Sequence, residues 1–488
     1  MRTHRMDHKI IYVILAAGAL IFMQIHSEDT GFWYDELAQV CYSREGNTLL
    51  DTISILDPTP PLFSVIANLW MRIAPYGERW LLILPQIAVA GAVVVTGIWV
   101  EGSFGTMAGV LAAFFLGTSQ IVIEQCGLEF RSYGLYLLLS AAAFAAHDCY
   151  ISSDGDRRPL IGFAAALTGF MYAHMFGIGI CAVMCFADIV VYGRKKSWKQ
   201  LAAPYLCAVT FFLPWLVCFI FKAGAPALAS QQSWMAKPTV WEVIKLFGYL
   251  CGNNPLIFLL FVVGAAEILL KIWRAGEAEA DDTMVRKKGF LLLVSAVSVL
   301  GVYVYGKVLR PDATLWVKRY FTGLTPCCVF VMSSAFGSFF QQETLNWKRK
   351  RGVGAVLAIL CVAAGGISLY RVSEGDSPFT VYYHREAAEI LANQEDSTSD
   401  GTIVLSTLGD YVEGWEYYYF TLRGVPGERK IASIYGIEPE ELKKYQVVYV
   451  ESGFPGEAAL IQDALDQGYV LEKSWEDVAL YKYRLNHG

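Results

Sequence analysis

Uninterrupted apolar runs constrain this chain more than any other feature of its sequence. A helix rising 1.5 Å per residue needs about 17 to 25 apolar residues to cross roughly 30 Å of hydrocarbon. Eleven candidate spans of that kind fall at 10–26, 80–99, 106–123, 133–150, 159–174, 175–192, 200–221, 255–270, 289–306, 320–339 and 352–370. Composition agrees: only 17% of the 488 residues are charged, against about 25% in soluble domains. Disorder is excluded by 14% aromatics, and a basic nucleic-acid binder by 39 Lys and Arg against 45 Asp and Glu. The chain reads as a polytopic α-helical membrane protein.

Most of the eleven cysteines, Cys181, Cys185, Cys207, Cys218, Cys327, Cys328 and Cys361 among them, lie inside apolar runs and read as small hydrophobes rather than a disulfide framework. Met1 to Lys9 is basic and Ile10 to Ile25 apolar, with no small-residue cleavage pattern after them. This reads as a signal anchor.

Orientation follows from where Lys and Arg collect. The decision turns on Pro60 to Pro75, which is apolar but short, opens with two prolines and carries Arg72. Leaving it as an amphipathic helix at the outer surface puts segments 1–9, 100–105, 151–158, 193–199, 271–288 and 341–351 in the cytoplasm, with 18 Lys and Arg in 59 residues. The opposite segments 27–79, 124–132, 222–245 and 307–319 carry 11 in 99. That asymmetry places the N-terminus in the cytoplasm of a multi-pass cell-membrane protein and the C-terminal tail outside it.

The expected organisation is a membrane domain over 1–370, with an outer loop at 27–79 bearing juxtamembrane helices, and an extracytoplasmic domain over 371–488. The tail patterns as helix (384–393), strand (402–406), helix (414–422), strand (430–435), strand (446–451), helix (457–467) and two last strands (469–473, 479–483). Alternating strands and helices predict a small α/β domain.

Ionisable groups at membrane boundaries are costly unless paired or hydrated, so they mark a site by default. The outer side receives Asp35, Glu36, Asp57, Glu124, Glu129, Arg131, His174, Trp234, Lys237, Lys307, Arg310, Asp312, Lys318 and Arg319. Asp35 and Glu36 fit a helix start with Asp35 as N-cap, or a carboxylate facing a cleft beside a held neighbour. Asp57-Pro58-Thr59-Pro60-Pro61 is a rigid extended lead-in to the interfacial helix. Glu129 and Arg131 fit an exposed ion pair, or a phosphate-binding fork with its orienting acid. His174 breaks an apolar run as a hydrogen-bonding residue or a ligand. Lys318-Arg319 either snorkels or binds an anion, and snorkelling is weakened on the side that disfavours cations.

The order of these signals resembles the C-type glycosyltransferases (GT-C), and within them glycosyltransferase family 39 and its bacterial relatives, the protein O-mannosyltransferases and aminoarabinose transferases. The similarity covers roughly residues 10–340. Trp33 and Asp35-Glu36 match the family's Asp-Glu signature, Pro60-Pro61-Leu62 its His-Pro-Pro-Leu and Glu129-Phe130-Arg131-Ser132-Tyr133 its Glu-Ala-Arg-x-Tyr. His174-Met175-Phe176-Gly177 matches its His-Tyr-Phe-Gly, and Arg319-Tyr320 its late Arg-Tyr. Thr59 replaces the family's histidine before Pro-Pro, which leaves any role of that imidazole without a carrier here.

The resemblance implies a GT-C fold of about eleven transmembrane helices with outer juxtamembrane helices. It implies transfer of a sugar, mannose or another hexose, from a polyprenyl-phosphate donor to a glycan, lipid or protein acceptor on the extracytoplasmic side. Asp35 would be the base in an inverting displacement, and Glu36 would orient that site or help hold a metal. Arg131, Lys318 and Arg319 would stabilise the donor phosphate. Asp57, Glu129, Tyr133, His174, Trp234 and Tyr320 would contact substrate. Membrane lipids are implied partners and nucleic acid is not. Carboxylates suit metal-dependent and metal-free chemistry alike, so use of a divalent metal stays open. A transporter or flippase of lipid-linked sugars is the alternative, and would call for repeats, broken helices or mid-membrane acids. Glu267 and Asp188 are the nearest to such acids and fall toward cytoplasmic ends. A receptor with an anchored tail would not need so many spans.

Overall fold

The computed structural model describes residues 4–27, 31–55, 59–153, 156–222, 237–274, 283–309, 315–341, 347–374, 383–452 and 468–485. Among them, eight helices are long and apolar enough to cross a membrane: Lys9–His26, Glu78–Phe104, Tyr133–Ser152, Met175–Tyr192, Trp198–Phe221, Pro255–Trp273, Thr283–Leu309 and Lys318–Gly337. Each meets one of the expected spans, and the chain is a multi-pass membrane protein. The expected spans 106–123, 159–174 and 352–370 are helical too, as Thr106–Thr118, Arg157–Ala173 and Trp347–Ser373. The first of these has only 13 residues and stops before Ser119. The apolar segment after Pro60-Pro61 forms the helix Leu62–Met71. Ten residues at 1.5 Å each give about 15 Å, half of what a crossing needs.

The chain divides into two compact units, one of residues 1–25, 53–63 and 83–377, the other of 26–52, 64–82 and 378–488. The first contains most of each span, the helix Glu78–Phe104 beginning in the second. Its core is built from aromatic and small residues, such as Trp99 stacked on Phe330 with ring centres 4.6 Å apart. Gly134, at the start of the helix Tyr133–Ser152, permits one of the closest approaches. A Cβ there would lie 2.5 Å from the Cys126 carbonyl oxygen and 2.6 Å from that of Pro85. This glycine therefore seats the turn Val122–Gly127 and the helix Glu78–Phe104 against Tyr133–Ser152. Three buried side chains in the bundle satisfy one another: His147 Nε2 lies 2.7 Å from Asp188 Oδ1, and the Tyr205 hydroxyl donates to Asp188 Oδ2 at 2.6 Å. The partly buried Glu267 pairs with the exposed Lys271 at 2.7 Å.

The second unit holds a five-stranded sheet in the order β2-β1-β3-β5-β4. The strands are β1 (Thr402–Ser406), β2 (Ile431–Ser433), β3 (Val447–Glu451), β4 (Tyr469–Trp475) and β5 (Leu480–Leu485). β2 and β3 flank β1 in parallel, and β5 runs antiparallel to β3 and β4. Every residue of β1 and β3 is buried, as expected for parallel strands covered on both faces. The expected strands are all present; the expected helix 457–467 lies outside the described residues.

The same unit includes most of the outer loop, 26–52 and 64–82, which is expected from the sequence to belong with the membrane domain. Asn68 joins two of the loop's helices, its amide donating to the carbonyls of Ser43, Arg44 and Asn47 at 3.3, 2.9 and 3.1 Å. These are orphan acceptors at the end of the helix Tyr34–Ser43 and just beyond it. Gln39 donates to Ser43 and Ser64, also on both segments.

Candidate active site

In the spanning unit, four stretches separated in sequence come together around His174. This residue ends the helix Arg157–Ala173 and caps the helix Met175–Tyr192, with Nδ1 accepting from the Phe176 amide at 3.2 Å. Its ring packs against Tyr136, Tyr320 and Tyr133, with centres 4.9, 5.1 and 5.5 Å away. Tyr136, one turn beyond Tyr133, donates its hydroxyl to the Tyr320 carbonyl at 3.3 Å. The Arg319 guanidinium carbon lies 5.8 Å from the centre of the Tyr133 ring, in cation–π range. Arg131 and Arg319 both act electrostatically on His174. Glu129 is buried, and its carbonyl accepts from the Arg131 amide at 2.7 Å. Glu129, Tyr133 and Arg319 in turn act on Tyr249, at the end of the helix Val240–Leu250.

The structure therefore gathers Glu129, Arg131, Tyr133, His174, Arg319 and Tyr320 into one aromatic, cationic cluster. Lys318 turns elsewhere. Its ammonium is 3.4 Å from Glu242, which also binds Lys245 at 2.9 Å. Lys245 and Lys318 together hold the Glu242 carboxyl below the ordinary carboxylate range. Adjacent residues in the short 3₁₀ segment Lys318–Leu324 thus face different partners. Phe63, following the Pro60-Pro61 lead-in, meets Phe130 edge-on at 5.6 Å. Asp57 and Trp234 lie outside the described residues.

In the other unit, Asp35 and Glu36 occupy the first turn of the helix Tyr34–Ser43, but the N-cap is Trp33 rather than Asp35. Glu36, at the third helical position, folds back so that Oε2 accepts from the Trp33 amide at 3.1 Å, one half of a capping box. Glu36 is buried by this contact, whereas Asp35 is partly exposed beside it. The alternatives left open by the sequence are thereby separated: Glu36 serves the helix terminus and the Asp35 carboxylate is not the cap.

The sequence does not single out Tyr136, Tyr249 or Glu242, and it places Glu124 on the outer side without a role of its own. The spacing of three between Tyr133 and Tyr136 is a signal for the first, since such residues share a helix face. Glu124 sits in the π-helical turn Val122–Gly127, a type of turn that recurs at functional sites. Gln120 donates to its Oε1 at 3.0 Å, while Oε2 is buried with no hydrogen-bond partner among the described residues. Burial pushes its pKa up to about 7, against the opposing pull of Gln120. No group of three or more His, Cys, Asp or Glu side chains among the described residues could hold a metal ion.

No family model matches the sequence, and no curated protein matches it. Solved structures do. ArnT from Cupriavidus metallidurans bound to undecaprenyl phosphate superposes with a TM-score of 0.60 over 96% of this chain and 97% of that one, at 11% identity. The chain has the GT-C fold. The archaeal oligosaccharyltransferase AglB from Archaeoglobus fulgidus, in complex with an inhibitory peptide and a dolichol-phosphate, has the same GT-C architecture. Its TM-score is 0.59 over 92% of this chain and 70% of that one, at 10% identity. At these identities the likeness is one of fold, and the GT-C frame spans nearly the whole chain.

Proposed function

We propose that this protein is an integral-membrane glycosyltransferase that moves a hexose from a polyprenyl-phosphate carrier to an acceptor hydroxyl on the extracytoplasmic side. The observation that carries the reading is the cluster in which the buried His174 ring packs against Tyr133, Tyr136 and Tyr320 while the Arg319 guanidinium lies 5.8 Å from the Tyr133 ring, with Arg131 two residues before Tyr133. Forked cations suit a phosphate, and aromatic faces suit a sugar or an isoprenoid chain. The GT-C fold, seen in ArnT with undecaprenyl phosphate and in AglB with a dolichol-phosphate, supports a lipid-phosphate donor.

In this reading Asp35 accepts the acceptor's hydroxyl proton as its oxygen attacks the anomeric carbon. The bond from that carbon to the phosphate oxygen breaks, and the electron pair leaves with the polyprenyl phosphate. Attack opposite the leaving group inverts the anomeric centre. Arg131 and Arg319 stabilise the charge that grows on the departing phosphate. Glu36 holds the helix start that carries Asp35. Glu129, Tyr133, His174 and Tyr320 surround the donor, Asp57 and Trp234 contribute substrate contacts, and Lys318 lends positive charge from its place beside Glu242. The acceptor is a glycan, a lipid or a protein. Incubating the purified protein in lipid with labelled polyprenyl-phosphate sugars tests the reading: label moves from donor to acceptor if it holds, and stays on the donor if it does not.

A further inference from the structure

The helix that carries Asp35 is ten residues long, too short to persist in water without tertiary support. Besides its bonds to Ser64 and Asn68, it is held along its whole length by one segment of the C-terminal domain. At the N-terminal end, the Phe32 amide donates to the Tyr419 hydroxyl at 3.0 Å, a buried bond, and the Phe32 ring lies 4.9 Å from that of Tyr418. Tyr34, next to Asp35, meets Tyr411 edge-on at 4.7 Å. In the middle, a Cβ at Gly414 would fall 2.3 Å from the Leu37 carbonyl oxygen and 3.2 Å from the Cys41 Cβ. Only glycine lets the two backbones approach this closely. At the C-terminal end, the Tyr42 and Tyr411 hydroxyls are 3.0 Å apart, and Arg44 pairs with Glu413 at 3.1 Å.

That segment is itself tied to the end of the sheet. Ser406, the last residue of β1, donates to Glu451 Oε2 at 2.6 Å and accepts from the Leu408 amide at 3.1 Å. Glu451, the last residue of β3, lies 2.5 Å from His384 Nδ1 through its other oxygen. The His384 carbonyl accepts from the indole of Trp415 at 2.8 Å. All four side chains are buried. The π-helical turn Tyr417–Thr421 then presents Tyr418 and Tyr419 to Phe32.

We infer that residues 411–419 form a seat that fixes the Asp35-bearing helix, with Gly414 and Tyr419 as positioning residues, so that the C-terminal domain is a working part of the transferase rather than an appended module. The inference rests on the reading of Asp35 as base. It gives the tail a purpose that its sequence does not state.

Full-length protein in lipid tests it with three variants. Asp35→Asn tests the base reading by itself and is expected to abolish transfer. Tyr419→Phe removes one buried hydrogen bond and is expected to lower kcat by about tenfold, with donor KM changed by less than about twofold. Amide hydrogen exchange should quicken across residues 34–43 and stay unchanged in β1 and β3. Gly414→Ala should act in the same direction and more strongly, and if it fails to fold Tyr419→Phe still decides the matter. An inactive Asp35→Asn beside a Tyr419→Phe with unchanged kcat and unchanged exchange overturns the seat alone. A fully active Asp35→Asn overturns the base reading, and the seat's purpose with it.

Discussion

The Arg319 guanidinium carbon stands 5.8 Å from the centre of the Tyr133 ring, while the ammonium of its neighbour Lys318 is engaged 3.4 Å from Glu242. Two cations adjacent in sequence therefore sit in different surroundings, which matters if the donor phosphate binds here as proposed. Replacing Arg319 by Lys keeps the charge but loses the planar fork and the stacking. Arg319→Lys is expected to raise donor KM by about 10- to 100-fold, the loss of one charge-assisted bond at roughly 1.5–3 kcal/mol. Lys318→Ala is expected to raise it by less than about threefold, as for a partly exposed pair. Steady-state kinetics on the two variants separate them; equal effects would contradict the division of roles.

Glu124 makes stability depend on pH. Its carboxyl is pushed up from 4.5 to about 7, so between those values the folded protein binds a proton that the unfolded chain has released. Stability falls as pH rises through that window, and the full loss is present above about pH 7. Glu124→Gln, which has no charge to bury, should melt above the parent at pH 8 and level with it at pH 4.5. Thermal melts at the two pH values check this, and a gap independent of pH would contradict it.

Gly134 sets the spacing of three elements beside the cluster. A methyl group 2.5 Å from one carbonyl oxygen and 2.6 Å from another forces backbone to move. Gly134→Ala is expected to cost about 1–3 kcal/mol and to shift Tyr133 with it. Lower thermal stability together with weaker donor binding is the expected result, and an unaltered melt would mean that the approach relaxes freely.

How much of this was legible in the sequence depended on the range of the interaction responsible. Hydropathy is additive along a helix, so the spans could be read directly, as could the short length of Leu62–Met71. The strands of the tail were legible because β1 and β3 are apolar runs bounded by turn residues. Glu129, Arg131, Tyr133, His174, Arg319 and Tyr320 announced themselves as polar interruptions at the ends of apolar runs. The cap at Trp33 did not, because the Glu36 side chain supplies what the residue type at the cap position lacks. The π-helical turn at Val122–Gly127 has no residue signature of its own. The partnership of Lys318 with Glu242 joins residues 76 apart, and the closeness of Gly414 to Leu37 joins residues 377 apart. No local pattern encodes either.

The buried group of Ser406, Glu451 and His384 makes a separate prediction about the C-terminal domain. His384→Ala leaves Glu451 Oε1 without its 2.5 Å partner at a fully buried position. A loss of about 1–3 kcal/mol is expected for a buried acceptor left without its donor, seen as lower protease resistance of residues 383–452. Unchanged resistance would mean that the carboxyl finds another partner.

The proposed transfer turns on Asp35 as the base that takes the acceptor's proton. The most direct measurement follows labelled polyprenyl-phosphate sugars with the purified protein in liposomes, comparing the parent with Asp35→Asn. The parent is expected to move label from donor to acceptor, and Asp35→Asn to bind the donor normally and transfer none. Label that stays on the donor while crossing the bilayer, in both proteins alike, would contradict that expectation.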